Sequence, residues 1–92
     1  MSNEPITTLR PQFVELMPEK EKLESGVLYI SRQYQLSIHL CACGCGGQAV
    51  LPLGGEWLLT ENGDLMTIRP SILNRWCKAH YYITDNRVEM LP

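Results

Sequence analysis

The sequence has no long apolar run: nothing in it approaches the roughly 20 apolar residues that a helix needs to cross a bilayer. Its start, Met1-Ser2-Asn3-Glu4-Pro5, lacks both a basic region and an apolar h-region, so a cytoplasmic location is the expectation. Basic residues are not in excess either, with 8 Lys and Arg against 10 Asp and Glu and a net charge of -2. That disfavours nucleic acid as the main partner, because nonspecific affinity comes mostly from cations on phosphates. There is no internal repeat and no low-complexity tract. Catalytic signatures are missing too: no H-E-x-x-H, no H-x-E with P-C-x-x-C, and no Ser-His-Asp signature. Gly44-Cys45-Gly46-Gly47 follows a strand pattern, but no helix follows it to bind phosphate. On these absences the isolated chain is expected not to be an enzyme.

What the chain does have is His39-Leu40-Cys41-Ala42-Cys43-Gly44-Cys45-Gly46-Gly47, with three of its 4 cysteines at every second position. The fourth lies much further on, in Cys77-Lys78-Ala79-His80. Thiolate and imidazole are the ligands Zn²⁺ prefers in tetrahedral sites, so two such clusters on separate segments predict one zinc ion holding both. In an extended strand, alternate thiols would stand roughly 6.6 Å apart, too far for bonds of about 2.3 Å to span all three. Gly44, Gly46 and Gly47 supply the freedom to curl the chain. The candidate ligands are Cys41, Cys43, Cys45, Cys77 and His80, five for four places. Cys77 and His80, three apart, are read as sharing one face of a helical turn or a tight loop. His39 sits in an alternating apolar run and reads as a strand histidine rather than a ligand. Disulfides are disfavoured by the missing signal peptide and by the strain of i,i+2 bridges. A thioredoxin-like redox centre would need C-x-x-C. A Cys77–His80 nucleophile remains open only if those residues are not metal-bound.

The rest reads as β-structure. Residues 1–12, with Pro5 and Pro11, form an arm that could lie along the domain as an edge strand. Residues 13–92 form one zinc-binding domain. Phe13-Val14-Glu15-Leu16-Met17 is apolar enough to dock, and Pro18 to Gly26 fits one or two turns of helix. After Gly26 the period becomes two. Val27–Ser31 and Leu36–Cys41 flank a polar turn, Gln48–Leu53 leaves the cysteine loop as a strand, and Glu56–Thr60 and Leu65–Arg69 bracket an Asn62-Gly63 hairpin. Pro70 to Trp76 is a connection, with a helical turn begun by Pro70 as one option. Tyr81–Thr84 and Arg87–Met90 flank a last turn at Asp85-Asn86. The predicted class is all-β, mainly antiparallel hairpins with little helix, as a small zinc-ribbon-like or sandwich domain. Tyr29, Trp57, Trp76, Tyr81 and Tyr82 are expected as core and cover for the metal site.

With the cluster in place, the sequence resembles the DUF6527 family of small bacterial proteins. The matching residues are Phe13-Val14-Glu15-x-Met17-Pro18, Gly26-Val27-Leu28-Tyr29-Ile30-Ser31, His39 through Gly46, Pro52-Leu53, Trp57, Pro70-Ser71-Ile72 and Cys77-x-x-His80-Tyr81-x-Ile83. The sequence departs from that pattern with Leu73-Asn74-Arg75-Trp76 after Ser71-Ile72 and with Tyr82 in place of a Trp. The resemblance implies zinc ligands among Cys41, Cys43, Cys45, Cys77 and His80. It also implies an accessory role in bacterial ubiquitin-like conjugation operons, as an adaptor docking an E1-like or E2-like enzyme or its target. The leading expectation is therefore a structural-zinc protein-interaction module. Two alternatives stand beside it: a nucleic-acid-binding zinc ribbon, for which Arg32, Arg69, Arg75, Lys78 and Arg87 would have to gather on one face, and a thiol-dependent enzyme component.

Overall fold

A computed structural model describes residues 5–92, so Met1 to Glu4 of the arm lie outside the described residues. The first strand, β1, is Arg10–Phe13, followed by a single 3₁₀ turn at Lys20–Lys22. Then come β2 at Val27–Ser31, β3 at Leu36–Leu40, β4 at Gln48–Pro52, β5 at Leu58–Asn62, β6 at Leu65–Asn74, β7 at Ala79–Thr84 and β8 at Arg87–Met90. They form two four-stranded sheets, ordered β1-β2-β3-β4 and β5-β6-β7-β8. Every neighbouring pair is antiparallel except β1 with β2. The predicted all-β class holds, and among the described residues there is no α-helix.

Strand alternation decides which side chains meet. Leu28 and Ile30 of β2 and Leu51 of β4 share one buried cluster with Ile68 and Ile72 of β6 and Tyr81 and Ile83 of β7. The two sheets therefore face each other over a common core, as a small sandwich. The stretch read as an arm takes part in it: Leu9 is 1% exposed, Ile6 N–H donates to Ala42 O at 2.7 Å, and β1 pairs with β2. The last hairpin turns through Asp85 and Asn86 at φ 49° and 67°. Two left-handed residues in a row give the twist that matches the flanking strands, and Asp and Asn tolerate that conformation well.

Three expectations are corrected. The segment after Pro18 forms only the 3₁₀ turn, which has no buried residue; so short a helix without a face to bury does not recover its nucleation cost. The Pro70–Trp76 connection is in large part strand, because β6 continues to Asn74 and puts Ile72, 3% exposed, into the core opposite Tyr81. Pro70 is accommodated by a register slip: β6 advances from Ile68 to Ile72 while β7 moves only from Ile83 to Tyr81. Bulges are where a sheet tolerates a missing N–H. Trp76, expected as cover, is 86% exposed at the β6–β7 turn, whereas Tyr29 and Tyr81 are buried.

Candidate metal centre and a serine–histidine pair

β3 delivers the chain to the cysteine loop, and the β6–β7 turn brings Cys77 up to it. Cys41 N–H donates to Gly47 O at 2.7 Å and Gly44 N–H to Cys41 O at 3.1 Å, which closes the loop on itself. Gly44 and Gly46 make this possible at φ 87° and 85°, conformations that a side chain would strain. As a result the Sγ atoms of Cys41, Cys43, Cys45 and Cys77 all lie within 4.8 Å of one another. Cys41 is 3.5 Å from both Cys43 and Cys77, and Cys43 is 3.3 Å from Cys77. Thiolates on one tetrahedral ion with bonds of about 2.3 Å stand about 3.8 Å apart, so this set could hold a metal ion after small adjustments.

The four thiols perturb one another. Burial, and then the thiols of Cys77, Cys45 and Cys41, push Cys43 up to about 12. Burial likewise pushes Cys77 up. Burial also works against ionisation of Cys41, but hydrogen bonds from the Cys43 backbone, Asn74 and the Cys77 and Cys43 thiols outweigh it and hold that thiol below its ordinary value. Crowded thiols resist collective ionisation, and a bound cation reverses that balance by supplying the missing positive charge.

His39 lies outside the thiol cluster. It is fully buried, with Nε2 2.7 Å from the Tyr81 hydroxyl, which Ala42 N–H also approaches at 3.4 Å. Burial pushes the imidazole down to about 4 and keeps it neutral.

His80, the fifth candidate ligand, is also elsewhere. A helical turn would have put Cys77 and His80 on one face, but β7 begins at Ala79 and the period is two. Ala79 and Tyr81 point into the core, and His80 points out on the opposite face. There its Nε2 is 2.7 Å from Ser71 Oγ. Ser71 lies within the register slip in β6, between Ile68 and Ile72, and bulges commonly re-aim a side chain in this way. Both residues are half-buried. A serine hydroxyl within hydrogen-bond reach of an imidazole is the geometry of a nucleophile with its base. Glu89, opposite Tyr82 on β8, places a carboxylate on this same outer face. Arg69 also belongs here, 4.4 Å above the Tyr82 ring.

Sequence reasoning noted Ser71 only as part of Pro70-Ser71-Ile72 and gave it no role. The pair becomes visible once β6 is carried through Pro70, because Ile72 opposite Tyr81 then brings Ser71 near His80 across the hairpin.

A family model described as "bacterial ubiquitination-like system serine protease (BubE)" matches residues 13–91. The chain belongs to the BubE family. Membership links it to a bacterial ubiquitination-like system, which is the association that the resemblance implied, although the match does not carry the DUF6527 designation. It corrects the expectation that the chain is not an enzyme, since the BubE family is described as a serine protease. That expectation rested on missing linear motifs, and the Ser71–His80 pair is assembled by strand pairing instead. Comparison with curated proteins and with solved structures returns no match. No helix among the described residues is long and apolar enough to cross a membrane.

Proposed function

We propose that this BubE chain is a serine peptidase of a bacterial ubiquitination-like system, with Ser71 as nucleophile and His80 as general base. The observation that carries this reading is the 2.7 Å contact between Ser71 Oγ and His80 Nε2 in a family described as a serine protease. Ser71 Oγ attacks the scissile carbonyl while His80 takes its proton; His80 then returns that proton to the leaving amine, and the carbonyl carbon stays bonded to Ser71 as an ester. Water, deprotonated by His80, cleaves the ester, releases the acid and restores the serine hydroxyl. E1-like and E2-like enzymes fit this scheme as the makers of the linkage that the peptidase cuts.

In the same reading, Cys41, Cys43, Cys45 and Cys77 hold one Zn²⁺. Four sulfurs fill a tetrahedral shell and leave no open position, which marks a structural site, so the ion ties the cysteine loop to the β6–β7 turn and takes no part in the cleavage. An all-thiolate site also favours a reducing compartment, in support of a cytoplasmic location.

The test is reaction with a fluorophosphonate, which forms a stable bond to a serine activated by a neighbouring base. Peptide mapping is expected to place the adduct on Ser71 and on no other serine. Absence of any adduct on Ser71 would remove the nucleophile assignment.

A further inference from the structure

Among the described residues, the end of β6 has a neighbour on one side only. β5 reaches no further than the Leu58–Arg69 pair, and the chain before it turns away through residues 54–56. From Ile72 to Asn74, β6 pairs with β7 alone. Which backbone groups this leaves free follows from the neighbouring ladder. Leu91 N–H donates to His80 O at 2.8 Å, so the His80 backbone faces β8. By the alternation of an antiparallel ladder, Ala79 and Tyr81 then turn their N–H and C=O toward β6, to Asn74 and Ile72. The N–H and C=O of Leu73 point to the side that has no strand among the described residues.

β4 is open in the same way, as the last strand of its sheet. Leu53 N–H donates to Gln35 O and Cys41 N–H to Gly47 O, each at 2.7 Å. Counting in twos from these makes Ser37–Leu51 and His39–Ala49 the bonded pairs. Gln48 and Val50 therefore turn their N–H and C=O outward. The two open edges meet across a groove of about 170 Å³, bounded by Gln48–Leu51 on one side and Ile72–Arg75 on the other, with Trp57 also lining it.

We propose that this groove binds the substrate as an extended polypeptide segment, paired as an added strand along the β6 edge at Leu73, next to Ser71, and running beside β4. The inference rests on the assignment of Ser71 and His80 as nucleophile and base. Its occupant is set by chemistry: alternating free donors and acceptors match an extended main chain, whereas a helix or a folded surface has already used its backbone groups internally. A paired strand lies about 4.8 Å away, which brings one of its carbonyls alongside Ser71. Leu73 and Val50, 54% and 43% exposed, offer apolar contact on either side. The substrate is thus a flexible tail or linker of a protein, read mainly through its backbone.

The experiment uses the Ser71→Ala protein, so that nothing is cut, and a pool of random-sequence decapeptides at millimolar concentration. Amide hydrogen exchange is followed by NMR. In the free protein, Leu73 and Val50 are expected to exchange at least tenfold faster than Ile72 and Asn74. The pool is expected to slow Leu73 and Val50 at least fivefold, and a pool N-methylated at alternate residues is expected to leave them unchanged. Leu73→Pro, added to the Ser71→Ala protein, removes a donor from the open side without breaking the β6–β7 ladder, so the slowing at Val50 should disappear. Val50→Pro is the reciprocal variant and should abolish the slowing at Leu73, which keeps the test intact if Leu73→Pro fails to fold. No slowing at Leu73 or Val50, with Ser71 still labelled in the parent, overturns the groove and leaves the nucleophile standing. No labelling of Ser71 in the parent overturns both.

Discussion

On the proposed peptidase reading, Ser71→Ala is expected to lower peptide-bond cleavage by on the order of 10⁴-fold or more, with little loss of stability. Removing a nucleophile disables the whole reaction sequence rather than one contact, and in serine peptidases such losses are of that size or larger. The structural cost is one neutral hydrogen bond at a half-buried site, the Ser71–His80 contact. That is about 0.5–1.5 kcal/mol, or a melting shift of a few degrees in a domain this small. The variant is therefore folded and inactive. Steady-state rates and a melting curve on the same preparation check it, and an activity within tenfold of the parent would show that Ser71 is not the nucleophile.

Cys77→Ser has the opposite signature. Cys77 is the only thiol of the cluster that comes from the β6–β7 turn; the other three sit on one short loop. Zinc bound to a site that is absent in the unfolded chain contributes its binding energy to folding. Opening the shell at Cys77 should forfeit at least about 3 kcal/mol and lower the melting temperature by more than about 12 °C. Lys78→Ala, one residue on, should change it by less than about 0.5 kcal/mol, the usual range for surface positions. Metal content by plasma mass spectrometry should fall for Cys77→Ser and stay at one ion per chain for Lys78→Ala. Acid should mimic Cys77→Ser, since protons compete with the metal for the thiolates, so metal is held at neutral pH and released as the pH falls. Equal melting temperatures for the two variants would remove the structural-metal reading.

Much of the fold could be read from residue order because the signals are local. Leu36–Leu40 alternates, Val27–Ile30 is an unbroken apolar run with strand-forming residues, Asn62-Gly63 and Asp85-Asn86 favour left-handed turns, and the structure places hairpins at these points. The four cysteines were likewise visible, because glycines beside closely spaced thiols announce a loop able to gather them. What was missed turns on Pro70. A proline inside a strand argues against the strand, and only the register slip and the burial of Ile72 outweigh that local penalty. With β6 cut short at Arg69, Ser71 had no place beside His80, and Cys77 with His80 looked like one turn of ligands. The serine–histidine pair depends on long-range register, which is set by packing against the opposite sheet rather than by any spacing in the sequence.

The assignment of His80 to the serine rather than to the metal is the point on which the whole reading turns, and one variant tests both halves. His80→Ala protein should be assayed for metal per chain and for fluorophosphonate adduct at Ser71 in the same sample. One metal ion per chain with the adduct lost is the predicted result, because the four thiols keep their shell while Ser71 loses its base. Loss of the metal, or undiminished labelling of Ser71, would contradict it.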